Sequence, residues 1–534
     1  MRIYFVCASL LSIILFSCKT SQPASTGPAD YIIENGKILD GTGNSWFYGD
    51  VAVKSGKIIA VGHLANMQAT KRINAQKRIV SPGFIDVHAH IENSVFEKPT
   101  ADNYIHDGVT TVVTGNCGGS ADNIKEFLHR IDSVKTSINV ASLVGHNTIR
   151  RAAMGLDNRL ATSAEQQKME ALAEQAMQEG AVGMSTGLIY VPGMFSNTSE
   201  VVGIAKVIAK NNGIYASHIR NEENGVRDAI QEAIQIGIDA NIPVQISHFK
   251  VSGRTNWGRS KETVPMIDSA RAKGYDVSID QYPYTASSTN LGVRIPDWAL
   301  GGGTDSLKIR LENPELHKRI IEEMIVSQNK YQYPDYSYAF VAYHSADTSL
   351  NGKNISRINI LKGRKPNMTD EAETILDLMK AGGAQMVYHS MNEEDVKFII
   401  RSPFAMIGAD AGVSTGKGMP HPRTYGTNAR VLGRYVRELK IISLEEAVRR
   451  MTSLAAQKFQ LKDRGLLKEG FAADILIFDE NTINDKATFE NPHQFSTGFA
   501  LVMVNGQVAL ENDVQSSTRS GKALYGPATL HVKR

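Results

Sequence analysis

Short apolar runs broken by turn residues mark both ends of the chain. Between Tyr31 and Val80 the clearest is Val51-Ala52-Val53-Lys54-Ser55-Gly56-Lys57-Ile58-Ile59-Ala60-Val61, which predicts two strands joined by a Ser-Gly turn. Near the other end, Ala473 to Phe478 reads as a strand, and Val502 to Ala509 reads as a strand pair around Asn505-Gly506. Flanks of such similar texture predict one sheet domain assembled from both termini, with two separate small β caps as the alternative.

The long middle follows another rhythm. β-rich runs alternate with stretches such as Ser163–Glu179 and Arg227–Ala240, whose apolar residues recur at helical spacing. That alternation predicts βα units around a parallel sheet. Strands are expected to end at Val87-His88, Val113-Thr114, Leu143-Val144, Met184-Ser185, Ser217-His218, Ser247-His248, Ile279-Asp280, Tyr388-His389 and Ala409-Asp410. These are nine candidates for a barrel of eight, so one is spurious or belongs to an insertion, for which the polar stretch 298–367 is the expected place.

Composition narrows the class. A chain of 534 residues exceeds one ordinary core, and 42 % apolar with 21 % charged residues excludes global disorder. With 58 basic against 55 acidic residues, a net +3 gives no charge argument for nucleic acid. Three cysteines, Cys7, Cys18 and Cys117, exclude a disulfide scaffold. At the amino terminus Arg2 precedes an apolar run, Ile3–Phe16, too short for an ordinary spanning helix. It closes on Leu15-Phe16-Ser17-Cys18, which resembles the bacterial lipobox, so residues 1–18 are expected to be a lipoprotein signal peptide and Cys18 the lipidated residue. Residues 19–30, rich in Ser, Thr, Pro and Ala, read as a tether. The expected location is outside the cytoplasm, on the periplasmic or cell-surface face of a bacterial membrane, held by the lipid anchor alone. Cys117 is then the lone thiol of the mature chain, and metal ligation would explain it.

The carboxyl ends of barrel strands converge on one face, so polar residues that close strands share a site. His88 and His90, two apart on a strand, project to the same side. Gly115-Asn116-Cys117-Gly118-Gly119 supplies a thiol on a glycine-rich turn, and His218 and His248, thirty residues apart, end two successive strands. Imidazoles and a thiolate suit zinc. Asp410 brings a carboxylate to the same mouth, where it can take a proton from bound water and return it to a leaving group. A substrate carboxylate would need cations, and Lys250 and Arg423 are the obvious ones, with Arg150, Arg151 and Arg220 as competitors. His146 also closes a strand and has no role beyond lining or support.

The ordered set His88-x-His90, Cys117, His218, His248 and Asp410 resembles the amidohydrolase superfamily, and the local phrases resemble its N-acyl-D-amino-acid deacylase (D-aminoacylase) branch. Among those phrases are Pro82-Gly83-Phe84-Ile85-Asp86, Gly183-Met184-Ser185-Thr186-Gly187, His218-Ile219-Arg220-Asn221-Glu222, Asp280-Gln281-Tyr282-Pro283-Tyr284 and His421-Pro422-Arg423-Thr424. The resemblance implies an α/β fold, a distorted (β/α)8 TIM-like barrel over 83–435. The β-sandwich would come from 31–82 and, with a C-terminal helix, 436–534. It implies a tight zinc site of Cys117, His218 and His248, and a weaker second site using His88, His90, Asp410 and shared Cys117. By the same similarity Tyr190, Tyr282 and Ser288, or Ser287 in its place, join Lys250 and Arg423 in holding the substrate. The implied reaction is zinc-dependent hydrolysis of N-acyl-D-amino acids, with Asp410 as general base. Dipeptides ending in a D-residue, cyclic amides or imides, and an inactive solute-binding lipoprotein stay open as alternatives.

Overall fold

A computed structural model describes residues 28–531. The signal-like run, Cys18 and the tether as far as residue 27 lie outside the described residues. No helix among the described residues is long and apolar enough to cross a membrane.

Eight parallel strands form the centre: β1 Phe84–Asp86, β2 Val109–Thr114, β3 Asn139–Ser142 with its continuation Val144–Gly145, β4 Gly183–Gly187, β5 Ile214–His218, β6 Val244–Ile246, β7 Val277–Gln281 and β8 Ala405–Ile407. Neighbours pair in sequence order up to β7, which then takes β8. The ring closes between β8 and β1 just beyond the strands, where Asp410 N donates to His88 O at 2.8 Å and His90 N donates to Ala411 O at 2.9 Å. Three prospective site residues therefore sit on the seam itself.

The helices between strands begin where the sequence provides caps. The helix Ser163–Glu179 starts at Thr162, whose side chain accepts from Glu165 N while the Glu165 carboxylate caps Thr162 N in return. The helix Val226–Ala240 stops at Asn241, which turns left-handed at φ 50°.

The ninth candidate strand is not in the barrel. Gln385–Tyr388 lies between Ser287–Asn290 and Ala339–Tyr343 in a three-stranded antiparallel sheet. This added layer is wider than the stretch 298–367 and has its own core, in which Leu291, Ile320, Met324, Tyr336, Ile375 and Met386 are buried together. Periodicity could not single out this strand among the nine because a short buried apolar run looks alike in either sheet.

Both ends of the chain share one nine-stranded sheet. Its junction is Ile475–Phe478 running antiparallel to Ile79–Pro82. Both expected hairpin turns are present, Ser55-Gly56 at φ 50° and 77° and Asn505-Gly506 at φ 48° and 78°, a geometry only glycine takes without strain at the second position. The two tips touch, since a Cβ on Gly56 would lie 2.9 Å from Asn505 O. One sheet, not two caps, results. Phe478 and Phe499 of this sheet pack on Phe84 of β1, ring centroids 6.3 and 6.2 Å away, and tie it to the barrel.

Candidate metal centre

Every expected donor ends or closely follows a strand. His88 and His90 follow β1, Cys117 follows β2, His218 closes β5, His248 follows β6 and Asp410 follows β8. Cys117, His248 and Asp410 leave their strands through left-handed backbone, at φ 53°, 35° and 50°. Such a conformation costs a non-glycine residue about 1–2 kcal/mol, so the surroundings must impose it. Around Cys117 they do. A Cβ on Gly115 would meet Leu143 O at 2.2 Å, and one on Gly118 would meet Asn147 Oδ1 at 2.2 Å, so the turn is pressed against the next strand's loop.

The sulfur of Cys117 joins two clusters. It lies 3.2 Å from His88 Nε2 and 3.4 Å from His248 Nε2. His248 Nε2 in turn lies 2.7 Å from His218 Nδ1. On the far side Asp410 Oδ1 is 3.1 Å from His90 Nε2 and 3.6 Å from His88 Nε2. Within Cys117, His218 and His248, and within His88, His90, Cys117 and Asp410, the donor atoms all lie within 4.8 Å of one another. Zinc takes nitrogen and sulfur at about 2.0–2.3 Å, so tetrahedral ligands stand some 3–4 Å apart, which both clusters approach. His218 Nε2 is buried without a hydrogen-bond partner. Residue types and spacing both fit a divalent cation, and Cys117 would serve either position.

Acids behind the donors fix their orientation. Glu222 Oε1 lies 3.0 Å and Lys250 Nζ 2.8 Å from His248 Nδ1, so this pair holds the outer edge of the ring while Nε2 faces Cys117 and His218. Asp280 Oδ1 lies 3.3 Å from His88 Nδ1 and also accepts from His248 N at 2.9 Å. Asp86 accepts from His88 N at 2.9 Å and Ala409 N at 3.0 Å, holding the seam, and burial pushes its carboxyl up to about 8. The sequence reading gave none of the three a role. Asp280 was findable by the rule that found Asp410, since it too lies at the end of a predicted strand.

Charge is finely placed. Burial alone would raise the Asp410 carboxyl, but the Arg423 guanidinium at 2.9 Å, with His88 and His90, holds it well below the usual carboxylate range. Burial and the neighbouring His248 push His218 well below the usual imidazole range, which favours the neutral ring a metal would need. Burial raises the Cys117 thiol, a proton that a coordinating thiol gives up.

Two cavities meet at the donors. One of about 290 Å3 is lined by His218, His248 and Asp410 together with the expected Tyr190, Lys250, Tyr282, Ser287 and Ser288. The other, about 480 Å3, is lined by His90, Cys117 and Asp410 with Arg423. Tyr190 and Ser288 line both, and the Tyr190 hydroxyl bonds Thr289 Oγ1 at 2.7 Å across the boundary. Lys250 spends its charge on Glu222 at 2.6 Å and on His248 O at 2.9 Å. Arg423 spends one nitrogen on Asp410 and Ser288 O and keeps its buried Nη1 unpartnered. The competitors are engaged elsewhere: Arg150 and His146 both bind buried Glu200, Arg151 pairs with Asp122, and Arg220 pairs with Glu232 while lining the smaller cavity.

A family model described as amidohydrolase family matches residues 71–268 and 342–510, a span that holds all six donor residues. The chain belongs to the amidohydrolase family. This amidohydrolase is 34 % identical to the D-aminoacylase of Alcaligenes xylosoxydans xylosoxydans over 93 % of its own length and 98 % of the relative's. It is also 34 % identical to the N-acyl-D-glutamate deacylase of the same organism, covering 94 % and 97 %. Among solved structures, N-acyl-D-glutamate deacylase from Bordetella bronchiseptica, complexed with zinc and a phosphonate that mimics the tetrahedral intermediate, superposes with a TM-score of 0.81 at 34 % identity, covering 94 % of this chain and all of that one.

Proposed function

We propose that this amidohydrolase cleaves the amide bond of N-acyl-D-amino acids, releasing a carboxylic acid and a free D-amino acid, with zinc held by Cys117, His218 and His248 and a weaker second ion held by His88, His90, Asp410 and the shared Cys117. The observation that carries it is the sulfur of Cys117 within 3.4 Å of imidazoles from both clusters, at the meeting point of two cavities. Near-complete coverage of deacylases at 34 % identity supports the reaction class.

When bound, such an ion lowers the pKa of a water molecule and polarises the scissile carbonyl. The remaining work belongs to the chain. Asp410, kept ionised by Arg423, takes the proton of the attacking water and delivers it to the departing amine. Arg423 Nη1, Tyr282 and Ser288 bind the substrate carboxylate. Lys250 positions Glu222 and so His248, adding its remaining positive field to the same cavity. The Tyr190 hydroxyl, lying between the cavities, orients the acyl oxygen.

The test is a zinc-loaded assay of free amine from paired N-acetyl-D- and N-acetyl-L-amino acids. Turnover of the D set is expected; turnover of the L set alone removes the D assignment, and turnover of neither removes the reaction. We further propose export and lipidation at Cys18, supported by Leu15-Phe16-Ser17-Cys18. Mass spectrometry of the mature N-terminus should find a diacylated Cys18, and an unmodified or absent Cys18 refutes it.

A further inference from the structure

A cavity of about 710 Å3 opens where the terminal sheet meets the barrel. Its walls include the tips of both hairpins, Ser55-Gly56 and Asn505, and the C-terminal stretch from Arg519 to Lys522. It lies at the N-terminal end of β3, where Val140 N donates to Lys522 O at 3.0 Å and Leu524 N donates to Val140 O at 2.8 Å. The metal donors all follow carboxyl ends of strands, so this cavity and the catalytic mouth occupy opposite faces of the barrel.

Its charge is one-sided. Two of its cations are matched: Lys57 by Asp463, and Arg464, whose side chain is 6 % exposed, by buried Asp474. Lys135, Arg519 and Lys522 line the same cavity, are exposed, and have no ion pair among the described residues. Against these three stand two further carboxylates: Asp132, which accepts from Ala523 N at 2.9 Å and from the Tyr525 hydroxyl at 3.2 Å, and Asp30, whose Oδ2 accepts from Ser55 N at 2.7 Å. The buried Nε of Arg464 has no hydrogen-bond partner and lies 3.8 Å from Asp463 Oδ1. The surplus over the neighbouring carboxylates is small, but Lys135, Arg519 and Lys522 carry it on exposed side chains.

The chain also enters the fold here. Ser55 N donates to Asp30 Oδ2 at 2.7 Å, which places residue 30 against the cavity wall. Cys18 precedes it by twelve residues, a reach on the order of 40 Å at most. We infer that this cavity and its three unmatched cations dock the phosphates of anionic lipid headgroups, seating the lower face of the barrel on the bilayer and turning the metal centre away from it. The orientation rests on the lipid-anchor reading; the headgroup contact does not.

Each cation near an anionic membrane surface multiplies partitioning about fivefold, so three give on the order of 100-fold. The test floats the unlipidated chain beginning at Lys19, its folding checked by a cooperative melt, with vesicles of phosphatidylglycerol and phosphatidylethanolamine and with vesicles of phosphatidylcholine alone. Flotation with the anionic vesicles only, weakened by added salt, is expected. The triple variant K135Q/R519Q/K522Q should lose it by on the order of 100-fold while its melt and its hydrolysis stay at the parent level. Equal flotation with both vesicle types, or a variant that floats like the parent, overturns the proposal. Flotation as expected from a chain that hydrolyses no N-acyl amino acid would count against the proposed reaction and leave this one standing. A Cys18 found unmodified would remove the anchor and the orientation drawn from it.

Discussion

Asp410 has two partners with different demands: His90 at 3.1 Å and Arg423 at 2.9 Å. Asp410→Asn keeps the shape and removes the base, so kcat should fall about a hundred- to ten-thousand-fold. Because the change also strips Arg423 of its counter-charge, the variant's fold is checked by its thermal melt, and a wild-type kcat would remove the assigned role. Glu222 acts at one remove, through His248 Nδ1. Glu222→Gln should weaken zinc retention about 10–100-fold, read from metal content after dialysis against a graded chelator. Individual residues were legible in the sequence when they closed a strand, as His218 does, or followed one within three residues, as His248 and Asp410 do. Glu222 was not, because it lies in a loop after β5 and reaches the centre through a fold in the chain that no periodicity encodes.

Arg423 is aimed by an interruption in its own helix. In the helix Arg423–Arg430 the backbone of Gly426 leaves helical geometry at φ −137°, and the segment restarts beyond it. Asp107, in the turn before β2, caps the restart: Oδ2 accepts from Asn428 N at 2.7 Å and Oδ1 from Ala429 N at 3.0 Å. Asp107→Ala leaves buried donors unmet at about 1–3 kcal/mol each, so it should lower the melting temperature and raise KM by loosening Arg423. Burial pushes the Asp107 carboxyl up to about 7. Its folded value lies above the unfolded one, so its contribution is full below a pH of about 4 and is lost as pH rises through about 7. The melting temperature of Asp107→Ala should accordingly change less over that window than the parent's, and parallel curves would refute the linkage. At this scale most strands and the two named helices were legible, the helices to within one residue at their ends. The strand Gln385–Tyr388 was not assignable, because its sheet partners, Ser287–Asn290 and Ala339–Tyr343, lie 42 residues or more away in sequence, the nearest pair being Tyr343 and Gln385.

The whole molecule depends on contacts between distant parts of the chain. Phe478→Ala opens the Phe84–Phe478–Phe499 cluster and should cost about 3–5 kcal/mol in denaturant melts, with the sheet and barrel loosening together. A loss confined to a few tenths would mean the two units are held elsewhere. That both termini share a sheet was foreseeable from matched hairpin signals, and the barrel from the order of its strand ends. The closing seam between β8 and β1 was not, since two short hydrogen-bonded loops leave no pattern in composition or period. Cys117 carries one last consequence. It is the free cysteine of the described residues, and its sulfur belongs to both donor clusters. In the chain beginning at Lys19, whose one cysteine is Cys117, a colorimetric disulfide reagent should thus titrate one equivalent after chelator stripping and none once either ion shields the sulfur, giving the fraction of chains that hold at least one ion without any substrate.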